Sequence, residues 1–312
     1  MDKKLIVIAG PTATGKSAVA VELARLIDGE IVSADSMQVY KYMDIGTAKP
    51  PKEDMALVRH HLIDIVEPDY SFNAAVFTDL ARTAIDDIIS RGKYPILVGG
   101  TGFYINALVY NNDFSQTVTE KTTKLRENLY KTYESKSPEE IFADLVKVDP
   151  EYALTTHANN VKRVLRALEY YYETGEKFSA YNERNKQNRE KAYDFSMFVL
   201  NRDREKMYNA INVRVDKMVE AGLIAEVKGL LDMGHKEDLT SMQGLGYKEI
   251  CAYFNNEVSL DEAIENIKLG TRRFAKRQIT WFKNQTDATW LDIDKYNNTA
   301  HIAAEISGNI LK

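Results

Sequence analysis

The chain has 312 residues, of which 44% are hydrophobic and 28% are charged, the balance of a globular protein with a large buried core. Its single cysteine, Cys251, excludes an intrachain disulfide and a cysteine-based zinc cluster and indicates a reducing compartment, so we expect a cytoplasmic protein. The formal net charge of −5 counts against a nucleic-acid partner, although local patches rather than totals bind phosphate backbones. No segment approaches the length of a membrane span, so we expect no membrane partner.

The first element in chain order is a phosphate-binding loop. An apolar run at 5–9 predicts a strand, and the apolar pattern from 18 to 27 predicts a helix. Between them lies the P-loop pattern of Gly10, Pro11, Thr12, Ala13, Thr14, Gly15, Lys16 and Ser17. Its glycines let backbone N–H groups surround a phosphate, while Lys16 reaches the outer phosphate and the Ser17 hydroxyl helps to hold Mg²⁺. The pattern predicts a site for a di- or triphosphate; the alternative is a glycine-rich turn.

The following elements alternate between strands and a helix. Strand patterns recur at 29–33 and 93–98, and helically spaced apolar residues between 76 and 89 predict a helix that Arg91 and Gly92 end. A further strand is predicted at 195–200. This alternation predicts a parallel sheet.

The character of the chain changes near Asn111, where charged residues and tyrosines replace the apolar runs. We predict a helical insertion with an apolar stripe formed by Val161, Leu165, Leu168 and Tyr172, and a solvated connection at 183–191. The predicted domains are a first part of the core at 1–110, the insertion at 111–194, and core completion with basic helices at 195–312. The fold class is α/β: a P-loop NTPase-like parallel sheet flanked by helices, with a helical insertion domain and a helical C-terminal part.

Two further loops follow strands of this sheet. Asp35 comes directly after the second strand, and Thr101 lies in the glycine-rich segment 99–102 after another. Because parallel strands place their ligands at their carboxyl ends, we expect Asp35 to face the phosphate loop. The alternatives are that Asp35 caps the next turn and that 99–102 is an ordinary strand-to-helix turn.

Several motifs together resemble one family, the bacterial tRNA dimethylallyltransferases, over nearly the whole chain. They are the P-loop and the segments 35–40 (DSMQVY), 46–50 (GTAKP), 60–64 (HHLID), 99–104 (GGTGFY), 163–169 (RVLRALE), 214–218 (RVDKM) and 244–249 (GLGYKE), followed by Arg272 and Arg273. The resemblance implies transfer of a dimethylallyl group from dimethylallyl diphosphate to the exocyclic N6 amine of adenosine 37 in the tRNA anticodon stem-loop, with release of diphosphate. We expect the enzyme to act as a monomer.

The resemblance also assigns roles to residues. Asp35 is similar to the family's general base, Thr101 holds the amine or the leaving group, and Arg214 joins Lys16 and a Mg²⁺ ion at Ser17 in binding diphosphate. The reacting adenine must flip out of the stacked bases of the anticodon loop. The implied tRNA contacts are Asp35, Ser36, Met37, Gln38 and Thr101 at the base, and Asn159, Asn160, Val161, Lys162, Arg163 and Arg166 in the insertion.

A basic segment near the C-terminus supports an RNA partner. On a helical wheel one side carries Ile264, Ile267, Phe274, Trp281 and Phe282, and the opposite arc carries Arg272, Arg273, Lys276, Arg277 and Lys283. A basic arc of this kind either contacts tRNA phosphates or is a solvated surface. The family resemblance favours the phosphate contact.

Two features limit the resemblance. Ala158, Asn159 and Asn160 stand where Pro-Asn-Asp is expected, which puts in doubt a carboxylate contact there, and the zinc finger of eukaryotic relatives is absent.

The adjacent His60 and His61 have no spaced partners, so a structural role is favoured over a zinc site. Three alternatives remain open: a small-molecule kinase, an adenylate isopentenyltransferase, and a non-catalytic tRNA-binding module.

Overall fold

The computed structural model describes residues 4–110, 120–187 and 190–310. The strands are β1 (Leu5–Ala9), β2 (Gly29–Ser33), β3 (His60–His61), β4 (Tyr94–Gly99), β5 (Phe195–Asn201) and β6 (Thr289–Asp292). The helices are α1 (Lys16–Ile27), α2 (Lys52–Leu57), α3 (Ala74–Ser90), α4 (Gly102–Val109), α5 (Glu120–Tyr133), α6 (Pro138–Val148), α7 (Pro150–Ala153), α8 (Val161–Thr174), α9 (Phe178–Gln187), α10 (Arg204–Glu220), α11 (Leu223–Asp232), α12 (Tyr247–Phe254), α13 (Leu260–Gln285) and α14 (Thr299–Ile310). Among these, no helix combines the length and apolar character needed to cross a membrane.

The strands of the described residues form one parallel sheet in the order β3-β2-β4-β1-β5-β6. The predicted parallel sheet and its four predicted strands are confirmed. Ala9, at the end of β1, pairs with Gly99 of β4 and Val199 of β5, so the loops after these strands leave the sheet side by side. The sequence pattern missed β3 and β6, because two and four residues are too few to show a strand period.

Apolar residues of the sheet pack against α1 and α14 in one core cluster. β1 is buried over its whole length, which is why its sequence is an unbroken apolar run rather than an alternating one. The predicted helix at 76–89 is confirmed as α3, whose first turn is capped by the Asn73 side chain. Arg91 is the C-cap of α3, and Gly92 follows with φ 73°.

The chain divides into two compact units. The first contains Met1–Val109 and Ala192–Lys312, and the second contains Tyr110–Lys191. Within the second unit, α5, α6, α7 and α8 share a cluster of buried residues: Leu129, Tyr133, Ile141, Leu145, Ala153, Val164, Leu165, Ala167 and Leu168.

Two expectations for the second unit need correction. The predicted apolar stripe is confirmed for Val161, Leu165 and Leu168, which pack in this cluster. Its last member, Tyr172, is 48% exposed, as suits a ring whose hydroxyl favours the boundary with water. The predicted connection at 183–191 is helical at 183–187, as part of α9, while 188–189 lie outside the described residues. The helix is held by the Tyr181 ring against Tyr170 and by an ion pair between Arg184 and Glu176.

Candidate active site

The phosphate loop joins β1 to α1 through backbone conformations that its sequence permits. Gly15 has a φ of 74° at the start of the helix, in the left-handed region that favours glycine. At Gly10 a side chain would collide with the sheet, because a Cβ there would lie 2.4 Å from the Leu200 carbonyl oxygen. The Thr14 hydroxyl closes the loop by donating to the Pro11 carbonyl at 2.8 Å. The loop is therefore a fixed turn at the N-terminus of a helix, the geometry that favours anion binding.

Lys16 extends over this loop, with Arg214 and Asp35 near its ammonium group. Its Nζ donates to the Pro11 carbonyl at 2.7 Å. Burial and the neighbouring Arg214 guanidinium lower the pKa of Lys16 to about 8, against the opposing effect of the Asp35 carboxylate. Burial also lowers the pKa of Arg214, a half-buried residue of α10, and Asp35 again opposes the shift. Two cations and one carboxylate from three separate elements thus act on one another here.

Asp35 caps the turn that follows β2. Its Oδ1 accepts hydrogen bonds from the backbone N–H of Met37 at 2.8 Å and of Gln38 at 3.3 Å. The Thr101 hydroxyl oxygen accepts from the backbone N–H of Ser36 at 3.3 Å, which ties the loop after β4 to the loop after β2. The capping alternative for Asp35 is therefore correct, and it fixes the carboxylate with one oxygen engaged.

One cavity of about 400 Å³ brings these groups together within the first unit. Of the residues predicted from sequence, it is lined by Thr12, Lys16, Ser17, Asp35, Ser36, Met37, Gln38, Thr101, Arg214 and Arg277. Its apolar wall includes Ile211, Val215 and Phe274. A space with cations, a carboxylate and apolar walls suits a small ligand that has both an anionic end and an apolar end.

Gln38 supports the cavity wall rather than presenting a free amide. Its Oε1 accepts from the Ser33 hydroxyl at 3.1 Å, and its Nε2 donates to the carbonyls of Thr47 and Ala48 at 3.4 and 3.2 Å. The segment 46–50, which was singled out only by resemblance, is thus part of the wall.

The same segment is held by Glu226, which the sequence analysis missed, and by Tyr247, which it singled out only by resemblance. The Glu226 carboxylate accepts from three successive backbone N–H groups, those of Asp44, Ile45 and Gly46, at 2.7–3.0 Å, and from the Tyr247 hydroxyl at 2.7 Å. Burial, with Glu226 beside it, raises the pKa of Tyr247. No local sequence signal marks Glu226, because the backbone N–H groups that it binds lie about 180 residues away.

The predicted basic arc of α13 is corrected by the structure. Arg272 is half-buried and donates to the Asn212 side chain on α10 at 2.6 Å, and Arg277 lies on the cavity wall over the Phe274 ring. Arg273, Lys276 and Arg277 are exposed, as the wheel predicted. The wheel misplaced only Arg272, because α10 packs beside α13 there.

The insertion residues proposed to contact RNA lie in the loop before α8 and its first two turns. Asn159, Asn160, Lys162 and Arg163 are exposed, and Val161 is half-buried. Arg166 forms an ion pair of 3.1 Å with the buried Glu169, which Arg126 also contacts at 2.7 Å. Part of the charge of Arg166 is therefore balanced within the unit.

The two adjacent histidines make structural contacts. His61 Nε2 lies 2.8 Å from the buried Glu30 carboxylate, which Arg91 also binds. His60 Nδ1 donates to the Val58 carbonyl at 2.8 Å, and burial lowers the pKa of its ring. His60 also lies on the cavity wall, which the sequence did not indicate.

The described residues contain no group of three or more histidine, cysteine or acidic side chains that could hold a metal by themselves. Mg²⁺ commonly binds through few protein ligands together with substrate phosphates and water. The exposed Ser17 at the start of α1, on the cavity wall beside Lys16, fits that pattern.

Comparison with known proteins identifies the family. The family model described as IPP transferase matches residues 38–285. The chain belongs to the IPP transferase family. It is 48% identical to the tRNA dimethylallyltransferase of Lachnoclostridium phytofermentans and 47% identical to that of Acetivibrio thermocellus, in each case over 97% of this chain and at least 95% of the relative.

Solved structures of IPP transferase family members agree with this fold. The tRNA delta(2)-isopentenylpyrophosphate transferase of Staphylococcus epidermidis has a TM-score of 0.72 and 42% identity, covering 99% of this chain and 98% of that one. A eukaryotic dimethylallyltransferase acting on tRNA has a TM-score of 0.81 and 33% identity, covering 99% of this chain and 79% of that one. The predicted family and fold class are therefore confirmed.

Proposed function

We propose that this enzyme transfers a dimethylallyl group from dimethylallyl diphosphate to the N6 amine of adenosine 37 in tRNA and releases diphosphate. The observation that carries the proposal is the cavity of about 400 Å³ on whose wall Lys16, Arg214, Asp35 and Thr101 meet. The names of the relatives support the same reaction.

The leaving group would be bound at the phosphate loop. Backbone N–H groups at the start of α1 and the charges of Lys16 and Arg214 stabilise the negative charge that develops on the diphosphate oxygen as its bond to the allylic carbon breaks. A Mg²⁺ ion held by Ser17 and the diphosphate would neutralise further charge. No phosphoryl group is transferred, so this P-loop binds the departing group.

The acceptor amine would lie near Asp35 and Thr101. As the adenine nitrogen attacks the allylic carbon and forms the new C–N bond, the C–O bond to diphosphate breaks and one amine proton must leave. Asp35 accepts that proton through its second oxygen, Oδ2, because Oδ1 is held by Met37 and Gln38. Thr101 orients the amine from the opposite loop. These two residues position a nitrogen that is a weak nucleophile.

The apolar wall would receive the prenyl group. Ile211 and Val215 of α10 and Phe274 of α13 lie on the wall of the same cavity as Lys16 and Asp35. These side chains exclude water from the allylic carbon, which water would otherwise attack in place of the amine.

Recognition of tRNA would use exposed cations on each unit separately. Arg273 and Lys276 lie on α13 in the first unit, and Lys162 and Arg163 lie on α8 in the second. Such side chains suit the phosphates of a single-stranded loop. The flipped adenine would contact Ser36 and Met37. A cytoplasmic location and a monomeric state stay predictions.

Incubation of the purified protein with Mg²⁺, dimethylallyl diphosphate and bulk tRNA tests the proposal, with mass spectrometry of the nucleosides as the readout. We expect prenylated adenosine in the tRNA digest. Parallel reactions with AMP as acceptor, and with ATP in place of the donor, test the adenylate transferase and the kinase. Prenylated AMP with unmodified tRNA, or phosphate transfer from ATP, would contradict the proposal.

A further inference from the structure

One buried side chain of α13 joins two loops of the cavity. Gln278 is 6% exposed, its Oε1 accepts from the backbone N–H of Thr12 at 3.1 Å, and its Nε2 donates to the Gly100 carbonyl at 2.9 Å. Thr12 belongs to the phosphate loop, and Gly100 precedes Thr101 in the loop after β4. A single amide therefore fixes the separation of these two loops.

The orientation of this amide is determined by its partners. The N–H of Thr12 can only donate and the carbonyl of Gly100 can only accept. In the reversed orientation the amide NH2 would face the Thr12 N–H and the amide oxygen would face the Gly100 carbonyl, so neither hydrogen bond could form. Each end of the amide is held by one backbone group, so the orientation of Gln278 is fixed where it borders the cavity.

Two side chains of α13 pack closely against the glycines of the loop after β4. A Cβ at Gly100 would lie 2.2 Å from Nε2 of Gln278, and a Cβ at Gly102 would lie 2.2 Å from the Trp281 ring. Gln278 and Trp281 are three residues apart on α13, so they meet the two glycines from one side of the helix. Close packing against α13 thus accounts for glycine at 100 and 102.

We infer that Gln278 is a positioning residue that sets the distance between the leaving group and the acceptor amine. The inference rests on the proposed function, in which the phosphate loop holds the diphosphate and Thr101 orients the amine. Removing the amide leaves the Thr12 N–H and the Gly100 carbonyl without their partner, and both loops then relax toward other contacts. Reactions between two bound groups are sensitive to displacements of this kind.

The test is Gln278→Met, which keeps the length of the side chain and removes both hydrogen bonds. We expect kcat to fall about 10- to 100-fold, while the Kd for tRNA stays within about twofold because Arg273 and Lys276 are unchanged. The Kd for inorganic diphosphate with Mg²⁺, measured by calorimetry, should rise because the phosphate loop loses an anchor. The matched control is Gln285→Met, the same substitution two turns further along α13, for which we expect no change in these constants.

Two further variants keep the inference testable if Gln278→Met does not fold. Gln278→Glu retains an oxygen for the Thr12 N–H but opposes the Gly100 carbonyl with a second acceptor, so it breaks one bond of the pair and should also lower kcat. Gly100→Ala perturbs the same contact from the loop after β4, because the new methyl group displaces Nε2 of Gln278. If Gly100→Ala acts through this amide, the substitution should lower kcat less in a Gln278→Ala background than in the wild type.

A kcat within twofold of wild type for folded Gln278→Met, or additive effects of Gly100→Ala and Gln278→Ala, would overturn the inference. Failure of the proposed function looks different, because the wild-type protein would then not prenylate tRNA at all. In that case the diphosphate Kd still decides whether Gln278 positions the phosphate loop.

Discussion

The cavity of the first unit and the loop before α8 of the second unit, residues 154–160, are built in different ways. At the cavity, the phosphate loop and the loop that carries Thr101 are fixed by hydrogen bonds between residues far apart in sequence, Thr12 with Gln278 and Ser36 with Thr101. In the segment before α8, the backbone contacts are local, as between Asn160 N–H and the His157 carbonyl, and Leu154 is 89% exposed. Chemistry requires fixed distances, whereas contact with a flexible RNA loop requires accessible charge.

The largest expected effect comes from removing the charge at the phosphate loop. Lys16→Ala should lower kcat/KM by at least about 10²-fold, because it removes a cation that faces developing negative charge. The fold should persist, since Lys16 Nζ donates its hydrogen bond to the Pro11 carbonyl of its own loop. Steady-state kinetics with a melting curve measures both. Unchanged kcat/KM would show that the diphosphate binds elsewhere.

Asp35→Asn should lower the chemical rate by about 10²- to 10⁴-fold. Asparagine keeps an oxygen for the N–H groups of Met37 and Gln38, so the turn should remain, but its amide cannot take the proton. Single-turnover kinetics with bound donor and tRNA is the measurement. A rate near that of wild type would reduce Asp35 to its capping role.

The rate of the reaction should depend on pH through the charge of Lys16. Because the pKa of Lys16 is lowered to about 8, its charge is present below that pH and is lost as the pH rises through it. We expect kcat/KM for dimethylallyl diphosphate to fall as the pH rises above about 8, while kcat changes less, because the bound anion favours the charged lysine.

Lys16→Arg is the control for this profile, since arginine stays protonated and should remove the alkaline decline. An alkaline decline that persists in Lys16→Arg would assign the titration to another group.

The smallest effects are expected on the exposed face of α13. Replacing Arg273 and Lys276 by glutamine should lower the slope of log affinity for tRNA against log salt by about 0.7 per lost phosphate contact. The rate at saturating tRNA should stay near that of wild type. Arg272→Gln is the contrast, because this side chain is bound to Asn212 and its loss should leave the salt slope unchanged. Equal slopes in all variants would mean that α13 is only solvated and that Arg163 contributes the contacts.

Local patterns predicted much of the first unit. The apolar runs and glycines around residues 5–17 and 93–102 predicted strands and loops correctly, because strand burial and tight turns leave strong local signals. The strands β3 and β6 were missed for the opposite reason, since so few residues show no period.

Residues that act through distant partners could not be predicted in this way. Gln278 and Glu226 each bind backbone groups more than 170 residues away, and such pairing leaves no mark on neighbouring residues. Arg272 was misplaced because a helical wheel cannot show that α10 lies beside α13. The one available hint was Gln278 itself, a polar residue between Phe274 and Trp281 on the apolar side of the helix.

The most direct test of the central claim is a crystal structure of the enzyme with an unreactive thiolo analogue of dimethylallyl diphosphate and a tRNA anticodon stem-loop. We expect the diphosphate at Lys16 and Arg214, the N6 amine of the flipped adenine beside Asp35 and Thr101, and about 3–3.5 Å between that nitrogen and the allylic carbon. A diphosphate bound away from the phosphate loop, or an adenine that stays stacked in the RNA while the analogue is bound, would contradict it.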